Sequence, residues 1–144
     1  MEKILTAIDF SEVTSAVMDK TMELTLAFDA RLCILHAEPD GDVYAREEDN
    51  LELEAEISHK IDKIRKSLNE KNVFPYIREV TGTPAKCILN ECARFKPDLL
   101  ILGAHRMTKL ARILGDKLRE EMILKAPCPI LLVHPDDKTE LKDE

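Results

Sequence analysis

The chain has 144 residues, of which 44% are hydrophobic and 34% are charged, and its formal net charge at pH 7 is −7. This length fits one domain, and the apolar fraction is too high for a disordered chain. The acidic balance argues against a protein that binds nucleic acid or an anionic membrane, because those surfaces attract clustered Lys and Arg.

No feature of the sequence indicates export or membrane insertion. No uncharged apolar run approaches the roughly 18 residues of a membrane span, and the N-terminus reaches Asp9 without the apolar stretch of a signal peptide. The cysteines form no Cys-x-x-Cys pair, which argues against a zinc or redox motif. We therefore expect a cytoplasmic protein with four buried, unreactive thiols: Cys33, Cys87, Cys92 and Cys128.

The first half of the sequence alternates short apolar runs with helical periodicity. Residues 3–8 predict a strand that ends at Asp9, and Ser11 is expected to cap the helix that follows. A nearly continuous apolar run predicts a second strand over 31–37, because a parallel strand is covered on both faces. A long helix is predicted from about 48 to 69. The apolar stripes of the two helices are Val13, Val17, Leu24 and Phe28, and then Ile57, Ile61, Ile64 and Leu68.

The second half continues the alternation with three more strands. Residues 73–80 are more polar and predict a strand near a sheet edge, while Pro84 suits the first position of the next helix. Residues 98–103 predict a buried fourth strand, and 127–133 predict the last. Between these strands, a basic stretch over 105–117 leads into a helix with the apolar residues Leu118, Met122, Ile123 and Leu124.

Strands that alternate with helices predict an α/β domain with a mostly parallel five-stranded sheet. Right-handed crossovers place helices on both faces, and a flavodoxin-like order of 3-2-1-4-5 follows if the chain reverses direction across the first strand. The domain is predicted to span residues 1–135, with 136–144 as a charged tail. In such sheets a ligand binds beyond the carboxyl ends of the strands at the reversal point, which lies between the first and fourth strands.

Two residues are expected to flank that crevice. Asp9 follows the first strand, where its carboxylate could accept hydrogen bonds from a nucleobase or ribose, or hold a metal or phosphoryl group. Alternatively, it only stabilises the N-terminus of the next helix. Gly103 ends the fourth strand and lets the backbone approach a ligand closely.

A cluster of cations follows Gly103 in a chain that is otherwise acidic, and its members are Arg106, Lys109, Arg112 and Lys117. The cluster suits a phosphate, although a basic surface that pairs with the acidic faces of the chain also explains it. Gly115 precedes a helix N-terminus, which favours an anion. Asp116 beside it would repel a phosphate.

The sequence contains no catalytic constellation. It has no Gly-x-Ser-x-Gly elbow, no Walker loop and no Gly-x-Gly-x-x-Gly motif, and its histidines lack the spacing of metal ligands. The third strand ends in Val80-Thr81-Gly82 without an aspartate, which argues against a receiver-like phosphoacceptor at Asp9. We therefore expect no metal site built on the histidines and identify no catalytic residues.

Five short stretches, in their order and spacing along the chain, carry a resemblance to a known family. They are residues 4–11 (ILTAIDFS), 35–37 (LHA), 82–85 (GTPA), 97–103 (PDLLILG) and 126–133 (APCPILLV). Together they resemble the universal stress protein family over about residues 1–135. The resemblance implies a flavodoxin-like domain, a role in stress responses, and a homodimer formed through the last strand, with Ile130, Leu131, Leu132 and Val133 at the interface.

One branch of that family binds ATP through a signature of Gly, two residues, Gly, nine residues and then Gly-Ser or Gly-Thr, whose amides and hydroxyl contact the phosphates. Gly103 matches the first glycine, but Arg106 stands in place of the second. Only eight residues separate Arg106 from Gly115, and Asp116 replaces the hydroxyl residue. The phosphate loop is therefore predicted to be degenerate.

The adenine end of the resemblance is better kept, because Asp9 matches the family's aspartate and Ala37 lies at the position that contacts the base. The candidate nucleotide-binding residues are Ala7, Asp9, Ala37, Gly103, Arg106, Gly115, Asp116 and Lys117.

Two functional hypotheses follow from the resemblance. In the first, the protein is a dimeric stress-response module that acts through an unknown protein partner and turns over no substrate. In the second, it is a sensor of adenine nucleotides, with slow ATP hydrolysis, in which Arg106 and Lys117 contact the phosphates. Asp116, with Asp9, would then hold Mg²⁺ and so offset its own repulsion of the phosphates.

Overall fold

The computed structural model describes residues 1–38, 47–104 and 120–135. The tail predicted over 136–144 lies outside this range, as does the whole basic stretch over 105–117. Residues 120–125 are helical. The other elements, in chain order, are β1 (Lys3–Ile8), α1 (Thr14–Phe28), β2 (Arg31–Glu38), α2 (Glu47–Glu70), β3 (Tyr76–Thr81), α3 (Pro84–Phe95), β4 (Leu99–Gly103) and β5 (Ile130–Val133).

The strands form one parallel sheet in the order β3-β2-β1-β4-β5, which confirms the predicted α/β topology. In the register of β1 with its neighbours, Thr6 lies opposite Ile34 on β2 and Ile101 on β4. The more polar β3 lies at one edge of the sheet, as predicted, and β5 lies at the other. The three central strands are thus the most buried part of the molecule, as their apolar runs require.

Each face of the sheet carries its own hydrophobic core, because successive side chains of a strand point to opposite faces. The core beneath α1 and α2 contains Ile4, Ile8, Val13, Val17, Leu32, Ile34, Leu68, Val73, Leu99 and Ile101. The core beneath α3 and residues 120–125 contains Leu5, Cys33, Leu35, Ala85, Ile88, Cys92, Leu100, Leu102 and Met122. On the first face, the hydroxyls of Thr6 and Thr21 satisfy each other at 2.9 Å, with both residues buried.

Prolines and helix ends move the starts of two strands from their predicted positions. Val73 is buried in the turn that follows α2, and its N–H donates to the carbonyl of Leu68 at 2.9 Å. Pro75 then separates it from β3, which begins at Tyr76. β5 begins at Ile130 and not at 127, since the prolines at 127 and 129 have no N–H to donate to a sheet.

Two expectations for α1 are wrong. The helix begins at Thr14, and the flanking Val13 makes no side-chain capping bond, so Ser11 does not cap the helix with its hydroxyl. Phe28 was expected on the buried stripe but is 49% exposed, because the helix ends at Asp29, where φ is 50°.

In the helical residues 120–125, Met122 is fully buried, whereas the other apolar residues, Ile123 and Leu124, are 67% and 82% exposed.

A buried carboxylate joins α3 to β3. Glu91 is only 4% exposed, and its oxygens accept hydrogen bonds from Arg94 at 2.6 and 3.2 Å. Arg78 Nε on β3 lies 3.3 Å from the same carboxylate, and the thiol of Cys33 donates to it at 3.6 Å. Burial raises the pKa of Glu91, but the hydrogen bonds and charge of Arg94, together with the charge of Arg78 and the hydrogen bond from Cys33, outweigh burial and hold this pKa below its ordinary value.

This lowered pKa predicts a loss of stability in acid. A carboxylate whose pKa is lower in the folded state stabilises the fold above its unfolded pKa of about 4.3, and this contribution disappears as the pH falls through the folded value. Glu91→Gln should therefore lower the free energy of unfolding by about 1–2 kcal/mol at pH 7 and flatten its decline below about pH 4.5. Urea titrations between pH 3 and 7 would measure both effects.

The matched control is Glu54→Gln, since Glu54 is an exposed glutamate on α2. That variant should keep the acid dependence of the parent chain. If Glu91→Gln and Glu54→Gln have the same pH dependence, then the ion pairs of Glu91 do not contribute to the acid sensitivity of the fold.

Candidate functional site

The candidate site is the carboxyl edge of the sheet at the point where strand order reverses. From β1 the chain moves outward through β2 to β3 on one side, and then crosses to β4 and β5 on the other. In sheets of this topology, the connections that leave two neighbouring strands at the reversal point diverge to opposite faces, and a ligand is expected between them. Asp9 directly follows β1 and Gly103 ends the adjacent β4, so both residues lie at this edge of the sheet.

The turn after β1 fixes the position of Asp9. The exposed carboxylate of Asp9 accepts a hydrogen bond from the N–H of Ser11 at 3.0 Å, which forms an Asx turn. Between them, Phe10 has a left-handed φ of 58°. The carbonyl of Ser11 accepts a hydrogen bond from the N–H of Thr14 at 3.1 Å, and α1 starts there. The role of starting the helix, assigned above to the Ser11 side chain, is thus filled by its backbone.

The ring of Phe10 contacts one residue of β2 and one residue of α2. The rings of Phe10 and His36 have centroids 4.8 Å apart at an interplanar angle of 59°. His36 is buried and lies opposite Ile8 in the β1–β2 register, and Lys60 Nζ on α2 lies 5.5 Å from the Phe10 ring centroid. Sequence reasoning assigned no role to Phe10, His36 or Lys60, although residues 10 and 36 both lie within the stretches quoted above.

Ala7 and Ala37 bring small side chains to the same edge. Ala7 packs against the core beneath α3, and the alternation of β2 after Cys33 and Leu35 directs Ala37 to that same face. Both alanines are only partly buried.

Packing against α1 explains the glycine at position 103. A Cβ at this position would overlap Cγ1 of Val13 and lie 3.2 Å from a methyl group of Val17, and both valines are 1% exposed. The glycine thus lets the first turn of α1 lie directly against the end of β4. The next residue, Ala104, is buried and donates its N–H to the carbonyl of Val133 at 2.8 Å.

The predicted phosphate half of the site lies outside the part of the chain that the structure describes. Arg106, Gly115, Asp116 and Lys117 all belong to it. Of the eight candidate nucleotide-binding residues, the structure therefore places four on or beside the carboxyl edge: Ala7, Asp9, Ala37 and Gly103.

Neither a metal cluster nor a membrane span is found within residues 1–38, 47–104 and 120–135. No three side chains of His, Cys, Asp or Glu gather there as metal ligands. None of the helices in these ranges has the length and apolarity to cross a bilayer.

The strand predicted to form a dimer lies at a sheet edge. All four residues of Ile130–Val133 are only partly buried. Leu131 and Val133 contact the core beneath α1, while Ile130 and Leu132 contact the core beneath α3. An edge strand presents unpaired backbone groups, to which a second strand can add.

The sequence model of the universal stress protein family matches residues 1–134. The universal stress protein MJ0531 of Methanocaldococcus jannaschii is 27% identical over 143 residues, which cover 95% of this chain and 84% of that protein. The universal stress protein YxiE of Bacillus subtilis is 26% identical over 144 residues, covering 91% of this chain and 97% of that protein. Among solved structures, the hypothetical protein MJ0577 superimposes with a TM-score of 0.80 at 25% identity, covering 95% of this chain and 98% of that one.

Some structural neighbours were solved with an adenine nucleotide. A universal stress protein family member from Arabidopsis thaliana with AMP bound has a TM-score of 0.70 at 20% identity, covering 97% of this chain and 95% of that one. The universal stress protein from Archaeoglobus fulgidus in complex with dAMP has a TM-score of 0.64 at 18% identity, covering 92% and 98%. At these identities the likeness establishes the common fold.

Proposed function

This chain belongs to the universal stress protein family, and we propose that it is a dimeric regulatory protein that binds an adenine mononucleotide at the carboxyl edge between β1 and β4. The observation that carries this proposal is the position of Asp9, an exposed carboxylate held by an Asx turn at the reversal point of the sheet. Adenine nucleotides in the AMP and dAMP complexes of proteins with the same fold support the choice of ligand.

The described half of the site suits a nucleoside. Asp9 offers acceptor oxygens, which match the hydroxyl donors of a ribose or the amino group of adenine. Ala7 and Ala37 leave room for a flat base beside them, and Phe10 and His36 brace the turn from the other face of the sheet. Recognition of the base and sugar thus rests on groups that are ordered before the ligand arrives, which reduces the entropic cost of binding.

The phosphate end favours a short phosphate chain. Arg106 and Lys117 supply charge-assisted donors, but Arg106 displaces the glycine whose amide would approach the phosphates, and Asp116 introduces a negative charge. This repulsion grows with each added phosphate unless a cation offsets it. We therefore expect AMP to bind more tightly than ATP. The alternative is that ATP binds together with Mg²⁺ held by Asp116, and the titrations below compare the two.

A dimer through β5 completes the proposal. The strand lies at the edge of the sheet with four partly exposed apolar side chains, and Ile123 and Leu124 stand exposed on the helical residues just before it. Pairing two copies of Ile130–Val133 would bury these side chains and satisfy the free edge.

Substitutions at Asp9 test nucleotide binding. Asp9→Ala should weaken AMP binding at least tenfold, because it removes hydrogen bonds to a charged acceptor. Asp9→Asn keeps an acceptor for the N–H of Ser11 and should preserve the turn, so its affinity should lie between those of the parent chain and Asp9→Ala. Isothermal titration of AMP into nucleotide-free protein would measure all three affinities.

The matched control is Asp19→Ala, which removes an exposed carboxylate from α1 and should leave AMP affinity unchanged. Thermal unfolding of each variant would establish that the fold is intact. Equal affinities in the parent chain, Asp9→Ala and Asp9→Asn would rule out a site built on Asp9.

A second candidate function is a dimeric interaction module that binds no nucleotide. It is favoured by the departures from the ATP signature at Arg106 and Asp116. The same titration separates the two, because the module would give no saturable heat with AMP or with ATP and Mg²⁺, and no shift of the melting temperature.

A further inference from the structure

Two thiols on different elements are in contact beneath α3. Cys92 lies in α3 and is 2% exposed, while Cys128 precedes β5 and is only partly buried. Cys92 belongs to the core on that face of the sheet, Cys128 packs against the same core, and each thiol is a neighbour that shifts the pKa of the other. Both are free thiols. The expectation that all four cysteines are fully buried is wrong for Cys128 and also for Cys87.

The neighbours of the other two cysteines, Cys33 and Cys87, are not thiols. The thiol of Cys33 is directed to the carboxylate of Glu91 at 3.6 Å. Cys87 Sγ lies beside Gly82, within 3.2 Å of the position that a Cβ there would take. Cys128 is held between Pro127 and Pro129, whose fixed φ angles restrict the backbone on both sides.

Both thiols of the pair are weakly acidic. Burial, followed by the neighbouring Cys128 and the charge of Glu91, raises the pKa of Cys92 to about 11. Burial, with the charge of Asp98, also raises the pKa of Cys128, although the hydrogen bond from Cys92 opposes the rise. Thiolate is the reactive form, so the pair reacts slowly at neutral pH and responds to sustained oxidant, not to traces of it.

We propose that Cys92 and Cys128 form an intramolecular disulfide when the protein meets a peroxide, and that this bond ties α3 to β5. This modification does not depend on the proposed nucleotide site. The thiolate of Cys128, the more exposed sulfur, attacks hydrogen peroxide to give a sulfenic acid and hydroxide. The sulfur of Cys92 then attacks the sulfenic sulfur, its proton leaves with the departing oxygen as water, and the S–S bond forms. Two thiols lose two electrons, which reduce one peroxide to two waters.

The expected structural effect is a covalent link between α3 and the segment that directly precedes β5. The link closes a loop that contains β4 and residues 104–127. Cross-linking a loop of this length restricts the unfolded chain and should raise the melting temperature by roughly 5–10 °C. Dithiothreitol should return it to the reduced value.

Peptide mapping tests the proposal directly on the full chain. Reduced protein is treated with millimolar hydrogen peroxide, free thiols are alkylated in denaturant, and the protein is digested with trypsin and a glutamate-specific protease. Cleavage after Glu91 separates Cys87 from Cys92, which otherwise share the tryptic peptide 87–94. The expected product is peptide 92–94 linked to peptide 126–138, with two free thiols lost per chain.

Variants supply the controls. Cys87→Ser should retain the linked peptide and the rise in melting temperature, whereas Cys128→Ser should lose both. Mapping of the parent chain stands on its own if a variant folds poorly. The proposal is overturned if Cys92 remains alkylated after oxidation, or if Cys128 is recovered as a sulfinic acid or in a disulfide between two chains.

Discussion

Gly103→Ala is expected to lower the free energy of unfolding by about 1–3 kcal/mol, although it adds only one methyl group. The new Cβ would overlap Cγ1 of Val13, which is buried at the position directly before α1. Relief requires either a strained valine rotamer or a shift of α1 away from β4, and both reduce packing. Urea unfolding followed by circular dichroism would measure the loss.

A double-mutant cycle identifies the cause. Val13→Ala alone should cost about 2 kcal/mol through its cavity, but in the Gly103→Ala background it also removes the overlap. The double variant should therefore be more stable than the sum of the single effects predicts, by about 1 kcal/mol. Ile34→Val, in the same core but on β2, should combine additively with Gly103→Ala. If the effects of Val13→Ala and Gly103→Ala on the free energy of unfolding are additive, then Gly103 does not make room for Val13.

Val133→Arg is expected to convert the proposed dimer to monomers, with a rise of at least 100-fold in the dimer dissociation constant. The symmetric contact would place two guanidinium groups in one apolar interface, so each copy contributes its own desolvation cost. Within the monomer, the long side chain can extend to water along the partly exposed strand. Sedimentation velocity over a range of protein concentrations would measure the shift.

The opposite edge of the sheet supplies the matched control. Tyr76 begins β3 and is 62% exposed, and Tyr76→Arg should leave the dissociation constant unchanged. A folded Val133→Arg chain that sediments as the parent does would exclude β5 as the interface. Loss of dimer in Tyr76→Arg would move the interface to β3.

The topology could be predicted because it depends on patterns that are local in sequence. The apolar runs at 32–35 and 99–102 need cover on both faces, which requires a parallel sheet with helices on either side, and the polar β3 belongs at an edge. The positions of Asp9 and Gly103 at the carboxyl edge depend on the same patterns, since Asp9 directly follows β1 and Gly103 ends β4, and these two strands are neighbours.

The remaining details depend on contacts between distant parts of the chain. That Gly103 makes room for Val13, and that Cys92 meets Cys128, follows from how helices settle on the sheet, and no sequence spacing encodes it. Asp98 was expected within the fourth strand. It precedes β4, and its carboxylate accepts hydrogen bonds from the N–H groups of Glu2 and Lys3, at 2.7 and 2.9 Å. The pKa of Asp98 is lowered by these two bonds.

The Asx turn after β1 could not be predicted from sequence patterns that are local to it. A serine before a helix is a common capping signal, yet here the Asp9 carboxylate binds the N–H of Ser11. Both residues could make such bonds, and the left-handed φ of Phe10 decides between them. That conformation is held in turn by the contacts of Phe10 with His36 and Lys60, which the sequence alone does not reveal.

Calorimetric titration of AMP into nucleotide-free protein would establish whether the edge between β1 and β4 binds an adenine mononucleotide. GMP and ATP with Mg²⁺ serve as comparisons. We expect saturable binding of one AMP per chain, weaker binding of ATP, no comparable binding of GMP, and a melting temperature that rises with AMP concentration. No heat with AMP and an unchanged melting temperature would rule out an adenine nucleotide site at this edge.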